Sequence, residues 1–297
     1  MRARVRVPAT CANLGPGFDC FGLALDLCND VTVDTDGEPG VHWEGEGTDV
    51  LPSDGTDRTS ATIGLVAGRF DLPLPSFALS AVNRIPPGRG LGSSSAAAVA
   101  GIALASVLLD LGLHTDRDSV FAIAAEVEGH PDNAAAAVYG GFTIAMPEGS
   151  VHRLDPHGDL RPVAIVPPAT LPTPAARAAL APQVPREDAV YNLAHAALAV
   201  EAFARDPDLL GAALHDRLHQ DARVVLAAHL IPELEDVIDV LRRARLPWCV
   251  SGAGPTLLAF EPAAGGSITP DLLGVSADWR IMRPGIRAHG FEIVDAA

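Results

Sequence analysis

Lysine is missing from this sequence altogether: all 21 basic side chains are arginines, set against 37 aspartates and glutamates for a net charge of −16. A chain so acidic offers no basic face to a nucleic-acid backbone or an anionic membrane, and neither is expected as a partner. If it handles a polyanion such as a nucleotide, it must do so locally, with backbone N–H groups, a metal and a few arginines. Aromatic residues are scarce as well, at 5%, and the apolar share of 48% is made up by Ala, Val and Leu, the composition of a helix-rich globular protein. Cys11, Cys20, Cys28 and Cys249 form no CxxC pair and have no histidine at metal-ligand spacing, so neither a zinc site nor a disulfide framework is expected. No signal-peptide run opens the chain, and no uncharged apolar stretch is long enough to span a bilayer. The expectation is a soluble cytoplasmic protein.

What is present reads as two domains, the number that 297 residues suggest. Residues 2–7 alternate as a strand, and a turn-rich loop, PATCANLGPGFD, fills 8–19 before an apolar run resumes. Short strands are expected at 31–34 and 41–44, a helix at 60–70 capped by Thr59 or Ser60, and a strand at 77–84. A glycine-rich turn then enters an alanine-rich helix over 96–111. Further helices are expected at 116–128, closed by Gly129, and at 134–138, capped by Asp132. Strands at 151–154 and 163–166 flank a polar turn, where the domain boundary is placed, giving domains 1–158 and 159–297. The second half predicts helices at 188–204, 208–218 and 231–244, strands at 249–251 and 256–260, then one more helix and a final strand.

The chemistry concentrates in PPGRGLGSSSAA at 86–97. A phosphate chain needs donors brought close without side chains in the way, and a glycine loop entering a helix supplies them. Gly88, Gly90, Gly92, Ser93, Ser94 and Ser95 meet that need. The spacing is neither a P-loop nor GxGxxG. The bland alternative, serines that merely cap a helix, accounts poorly for three glycines and three serines ahead of an alanine-rich helix. Glu126 and Glu128 end the helix expected at 116–128, where a carboxylate opposes the helix dipole. A Mg²⁺ ion beside a nucleotide wants carboxylate and hydroxyl oxygens, so one of these glutamates and one of the three serines form a plausible pair.

Three segments, PATCANLGPGFDCFGLAL at 8–25, PPGRGLGSSSAA and SGAGPTLLAF at 251–260, resemble the galactokinase, homoserine kinase, mevalonate kinase and phosphomevalonate kinase (GHMP) family. ANLGPGFD, EGHPDN, TPAAR, HQDAR and LIPEL are similar to its homoserine kinases. The resemblance implies an α+β, two-domain fold: an N-terminal, ATP-binding α/β domain with a left-handed βαβ unit and a C-terminal ferredoxin-like domain, the site between them. It implies ATP as co-substrate, Mg²⁺, L-homoserine as acceptor in threonine biosynthesis, and a homodimer. Carried over by motif, residues 87–95 hold the nucleotide, including Pro87, Arg89 and Leu91, and Ser94 and Glu128 hold the metal, with Glu126 in reserve. Asn13, Asp19, His130, Asn133, Thr173, Arg177 and Arg223 would form the amino-acid pocket, Asp19 taking the ammonium and the two arginines the carboxylate. Several family members place an aspartate base near Asn133, and an amide cannot take that proton. No protein base is expected, and Asn133 and Arg177 would only position the transferring groups.

Overall fold

The computed structural model describes residues 1–263 and 268–296. In β1 (Arg2–Ala12), Ala3, Val5 and Val7 are fully buried while the arginines between them turn outward, as a period of two requires. β2 (Phe21–Asp34) pairs with it antiparallel and is one continuous strand of 14 residues. The expected short strand at 31–34 is only its end. β3 (Gly40–Gly45) and β4 (Ala78–Asn83) pair in parallel, joined through α1 (Arg58–Arg69), and β4 also lies against β2. α1 begins earlier than the sequence suggests because Asp57 caps it, accepting from the Ser60 N–H at 3.0 Å; Thr59 and Ser60 lie inside the helix.

α2 (Ser93–Leu108) is apolar around its whole circumference and accordingly interior. α3 (Arg117–Glu128) and α4 (Asp132–Tyr139) follow, and Asp132 is the first residue of α4 rather than its cap. β5 (Phe142–Ala145), which the sequence reading missed, pairs with both β2 and β6 (Val151–Leu154). Four residues after a glycine pair are too few to show a period.

β7 (Pro162–Val166) opens a second sheet. α5 (Thr173–Ala178) and α6 (Arg186–Ala204) come next, and the helix expected at 208–218 shrinks to a 3-10 turn and α7 (Leu210–Ala213). α8 (Gln220–Ala228) was not anticipated, and α9 begins later than 231, spanning Leu234–Arg243. α9 buries Leu234, Val237, Ile238 and Leu241 on one stripe, with Glu235 and Asp236 in its first turn and Arg242 and Arg243 in its last, the arrangement its dipole favours. β8 (Trp248–Val250), β9 (Leu257–Phe260), α10 (Pro270–Leu273) and β10 (Arg280–Met282) complete an antiparallel sheet of order β10-β7-β9-β8. β11 (Glu292–Ala296) then returns to pair with β1. The sheets therefore change between β6 and β7, but the last strand rejoins the first sheet. Each sheet has its own core, the larger built around β1, β2 and α2 and the smaller around β7, β9 and α9. Among the described residues no helix is long and apolar enough to cross a membrane.

Candidate active site

The end of β1, the glycine-serine loop and the β8–β9 turn meet where the two sheets adjoin. Ser251 Oγ donates to Gly90 O at 2.6 Å, Gly252 N to Ala12 O at 3.1 Å, and Thr10 N to Leu91 O at 3.1 Å. Gly90 has φ +76°, and a Cβ there would stand 2.3 Å from Ser251 O, so this crossing demands glycine. Beside it lies a cleft of about 600 Å³ lined from both domains.

Gly92, at φ +69°, is the N-cap of α2 and has no side chain to cap with. Ser93, Ser94 and Ser95 form the first turn, so they are not caps, and their N–H groups are among the orphan donors at the positive end of a buried helix. Ser94 and Ser95 send their hydroxyls to one carboxylate: Ser94 Oγ donates to Glu128 Oε1 at 2.8 Å and Ser95 Oγ to Oε2 at 2.6 Å. Glu128 ends its own helix but sits against the opposite pole of another, which resolves the dipole conflict visible in the sequence. Arg58, which sequence reasoning missed, adds Nη2 to Glu128 Oε1 at 2.7 Å. Glu126 is 68% exposed, pairs with Arg69 at 2.7 Å and does not line the cleft. The loop residues Gly88, Gly90, Leu91, Gly92 and Ser93–Ser95 line it, whereas Arg89 turns away to the carbonyls of Pro167 and Pro168, at 3.1 and 2.7 Å, and Pro87 is also off the lining.

At the other end, Asn13, Asp19, His130, Asn133, Thr173, Arg177 and Arg223 all line the same cleft. Asp19, held at φ +55°, takes a bidentate contact from Arg177, Nη2 to Oδ1 at 2.7 Å and Nη1 to Oδ2 at 3.0 Å. Asn13 fixes that turn, accepting from Asp19 N at 3.0 Å and donating to Gly252 O at 2.9 Å. Thr173 starts α5, one turn before Arg177. Asp132 Oδ1 accepts from His130 Nδ1 at 2.9 Å and from Asn133 N at 2.7 Å. That carboxylate lifts the His130 pKa above its ordinary value, outweighing burial. Asn133 Oδ1 accepts from Thr10 Oγ1 at 2.7 Å, which leaves its amide N–H groups as donors.

Arg223 is 2% exposed and has no carboxylate partner among the described residues. Its Nη1 donates to Gly252 O at 2.5 Å and to His219 Nδ1 at 3.2 Å, and its Nε–H has no acceptor. Burial keeps His219 below its ordinary pKa, and its Nε2–H is occupied by Gly15 O at 2.7 Å, so the other ring nitrogen is the acceptor Arg223 needs. Arg223 and Arg177 also share the face of Phe18, at 5.3 and 5.9 Å from the ring centre. Phe18 follows two glycines in the turn, and nothing local in the sequence marks it.

The chain matches the family described as GHMP kinases N terminal domain over residues 59–141 and GHMP kinases C terminal over 196–264. It is 44% identical to the homoserine kinase of Clavibacter michiganensis, covering 90% of this chain and 85% of that one. It is 45% identical to a homoserine kinase of Thermus thermophilus, covering 92% and 91%. Among solved structures it superposes on the homoserine kinase of Cytophaga hutchinsonii with a TM-score of 0.78 at 23% identity, over 99% of this chain and 97% of that one, a likeness of fold.

Proposed function

The chain belongs to the homoserine kinases of the GHMP kinase family, and on that premise we propose that its cleft moves the γ-phosphate of ATP to the side-chain hydroxyl of L-homoserine. The products are ADP and O-phospho-L-homoserine, a step of threonine biosynthesis. The observation that carries the choice of acceptor is Arg223, a buried cation with no carboxylate partner among the described residues, in one cleft with Asp19. A buried unpaired charge is costly and is retained where a ligand completes it. The homoserine carboxylate meets Arg223, and its ammonium meets Asp19 in place of the Arg177 guanidinium. The hydroxyl is then free to face the glycine-serine loop.

The first-turn N–H groups of α2, with Gly88 to Ser95, take the phosphates. Glu128 and Ser94, two hard oxygen donors 2.8 Å apart at the helix N-terminus, suit Mg²⁺, which wants few protein ligands and several phosphate oxygens. When bound, that ion would spread the charge of the transferring phosphoryl group. The domain division at 158/159 and a homodimer remain part of this reading, supported by the family likeness; light scattering reads the latter.

The cleft carboxylates argue against a protein base. Asp19 is held by Arg177 and, once homoserine binds, by its ammonium; Glu128 is held by two serines and an arginine, and Asp132 by His130 and a backbone N–H. Each of these carboxylates is thus already engaged by donors of the protein itself. Asn133 contributes donors only. The hydroxyl proton therefore passes to the γ-phosphate itself, which phosphoryl transfer tolerates because positioning and charge stabilisation carry most of the catalysis. A coupled ADP-release assay offering L-homoserine, mevalonate and a hexose in turn tests the assignment: turnover with homoserine at least about tenfold above the others is expected, and no preference for homoserine refutes it.

A further inference from the structure

Arg58 opens α1 and crosses to the phosphate loop, where Nε donates to Ser94 Oγ at 3.2 Å and Nη2 to Glu128 Oε1 at 2.7 Å. The guanidinium thus touches both atoms assigned above to the metal. Its side chain is 45% exposed, whereas that of Glu128 is 4% exposed, so the carboxylate is fixed and the arginine is the member free to move. A divalent ion on Glu128 Oε1 and Ser94 Oγ would stand against a guanidinium at bonding distance, and like charges so close repel by several kcal/mol even at an effective dielectric of about 20. One of the two must leave.

Among the described residues, the phosphate end of the cleft has no cation besides Arg58. The chain has no lysine, Arg89 is held by backbone carbonyls, and Arg177 and Arg223 belong to the amino-acid end. Arg58 is the remaining arginine on the cleft lining. A planar fork on a long side chain suits phosphate oxygens as well as it suits a carboxylate.

We infer that Arg58 is a movable counter-cation: it occupies the Glu128–Ser94 corner in the nucleotide-free enzyme and moves onto the phosphate oxygens when nucleotide and metal arrive. This rests on the reading that the cleft binds a nucleotide. Glu128 is then neutralised at every stage, and the phosphates gain a basic side chain in place of the loop's own Arg89, which is turned away to backbone carbonyls.

The test uses Arg58→Gln, with Arg69→Gln, whose partner Glu126 is off the cleft, as the control. Mn²⁺ affinity is measured without nucleotide, from the free-ion electron paramagnetic resonance signal. ADP affinity is measured by calorimetry with a chelator present. Removing the guanidinium frees the carboxylate, so Arg58→Gln should bind Mn²⁺ at least about threefold more tightly than wild type; it should bind metal-free ADP about tenfold more weakly, the scale of a lost hydrogen bond to a charged group. Arg69→Gln should match wild type in both. An Arg58→Gln protein whose Mn²⁺ affinity is unchanged or weaker, or whose ADP affinity stays within about twofold of wild type, overturns the role of Arg58. Failure of the wild-type protein to bind ADP would instead overturn the nucleotide reading, and this inference with it.

Discussion

Replacing Asp19 by Asn separates a binding role from a catalytic one at the same residue. Asn tolerates the left-handed φ of +55° found there, so the turn survives. What disappears is the charge that faces Arg177 and, on the proposed reading, the substrate ammonium. A hydrogen bond to an ionised group contributes roughly 1.5–3 kcal/mol. The Asp19 side chain is 33% exposed and already engaged by Arg177, so the lower end applies, which corresponds to about a tenfold rise in the KM for homoserine. The bridge itself, with both partners about one-third exposed, contributes no more than about 1 kcal/mol, so Tm should fall by less than about 4 °C. The assay is coupled ADP release at varied homoserine, repeated from neutral to alkaline pH, with kcat and KM resolved at each point. The expected result is a raised KM, a kcat within a few-fold of wild type, and an unaltered pH profile. A collapse of kcat by about a hundredfold or more with the KM intact and the pH profile changed would identify Asp19 as a general base and refute the reasoning.

Arg223→Met should raise the KM for homoserine by about a hundredfold, because the lost partner of the carboxylate is fully desolvated. The substrate-free protein should keep or gain stability, since the variant removes a buried charge that has no counter-ion among the described residues, and a loss above about 2 kcal/mol in chemical denaturation would show that Arg223 is structural instead. Glu128→Gln should lower kcat roughly a hundredfold and shift the Mg²⁺ dependence to higher concentration, and an unchanged Mg²⁺ titration would remove Glu128 from the metal site. His130→Gln addresses linkage. The His130 pKa is raised above 6.5 in the fold, so its contribution to stability is fully present below pH 6.5 and is lost as pH rises through the raised value. Melting curves should therefore show wild type ahead of the variant at acid pH and converging with it at alkaline pH; a gap that widens with pH would contradict the His130–Asp132 pairing.

The glycine-serine loop was legible because its signal is local: composition, spacing and the helix behind it lie within a dozen residues. Glu128 was legible as a conflict, a carboxylate at the wrong pole of its own helix, and α2 supplies the resolution. The rest required the fold. Arg58 lies 36 residues from Ser94 and 70 from Glu128, and no short pattern could bring them together. α8 was missed because its inward face is polar: Gln220 and Arg223 occupy buried positions where a periodic reading looks for leucine or valine. Instead Gln220 accepts from Val250 N at 2.7 Å and Arg223 reaches the β8–β9 turn. Family likeness placed Arg223 in the pocket, but only the packing reveals that it is unpaired.

The charges of the cleft explain how a chain without lysine can bind two anionic groups. Asp19 is answered by Arg177, Asp132 by His130 and Glu128 by Arg58, which leaves Arg223 as the cleft arginine without an ionic partner among the described residues. On the proposed reading, a zwitterionic amino acid would exchange into such an arrangement with little change in net charge, its carboxylate going to Arg223 and its ammonium to a carboxylate that already holds a cation. A neutral polyol would leave Arg223 buried and unpaired, and a lone carboxylic acid would leave Asp19 still bound to Arg177. If the proposed roles hold, specificity for an α-amino acid lies in the pairing pattern rather than in any single contact, and adding a carboxylate beside Arg223 should weaken homoserine binding even with every residue of the pocket retained.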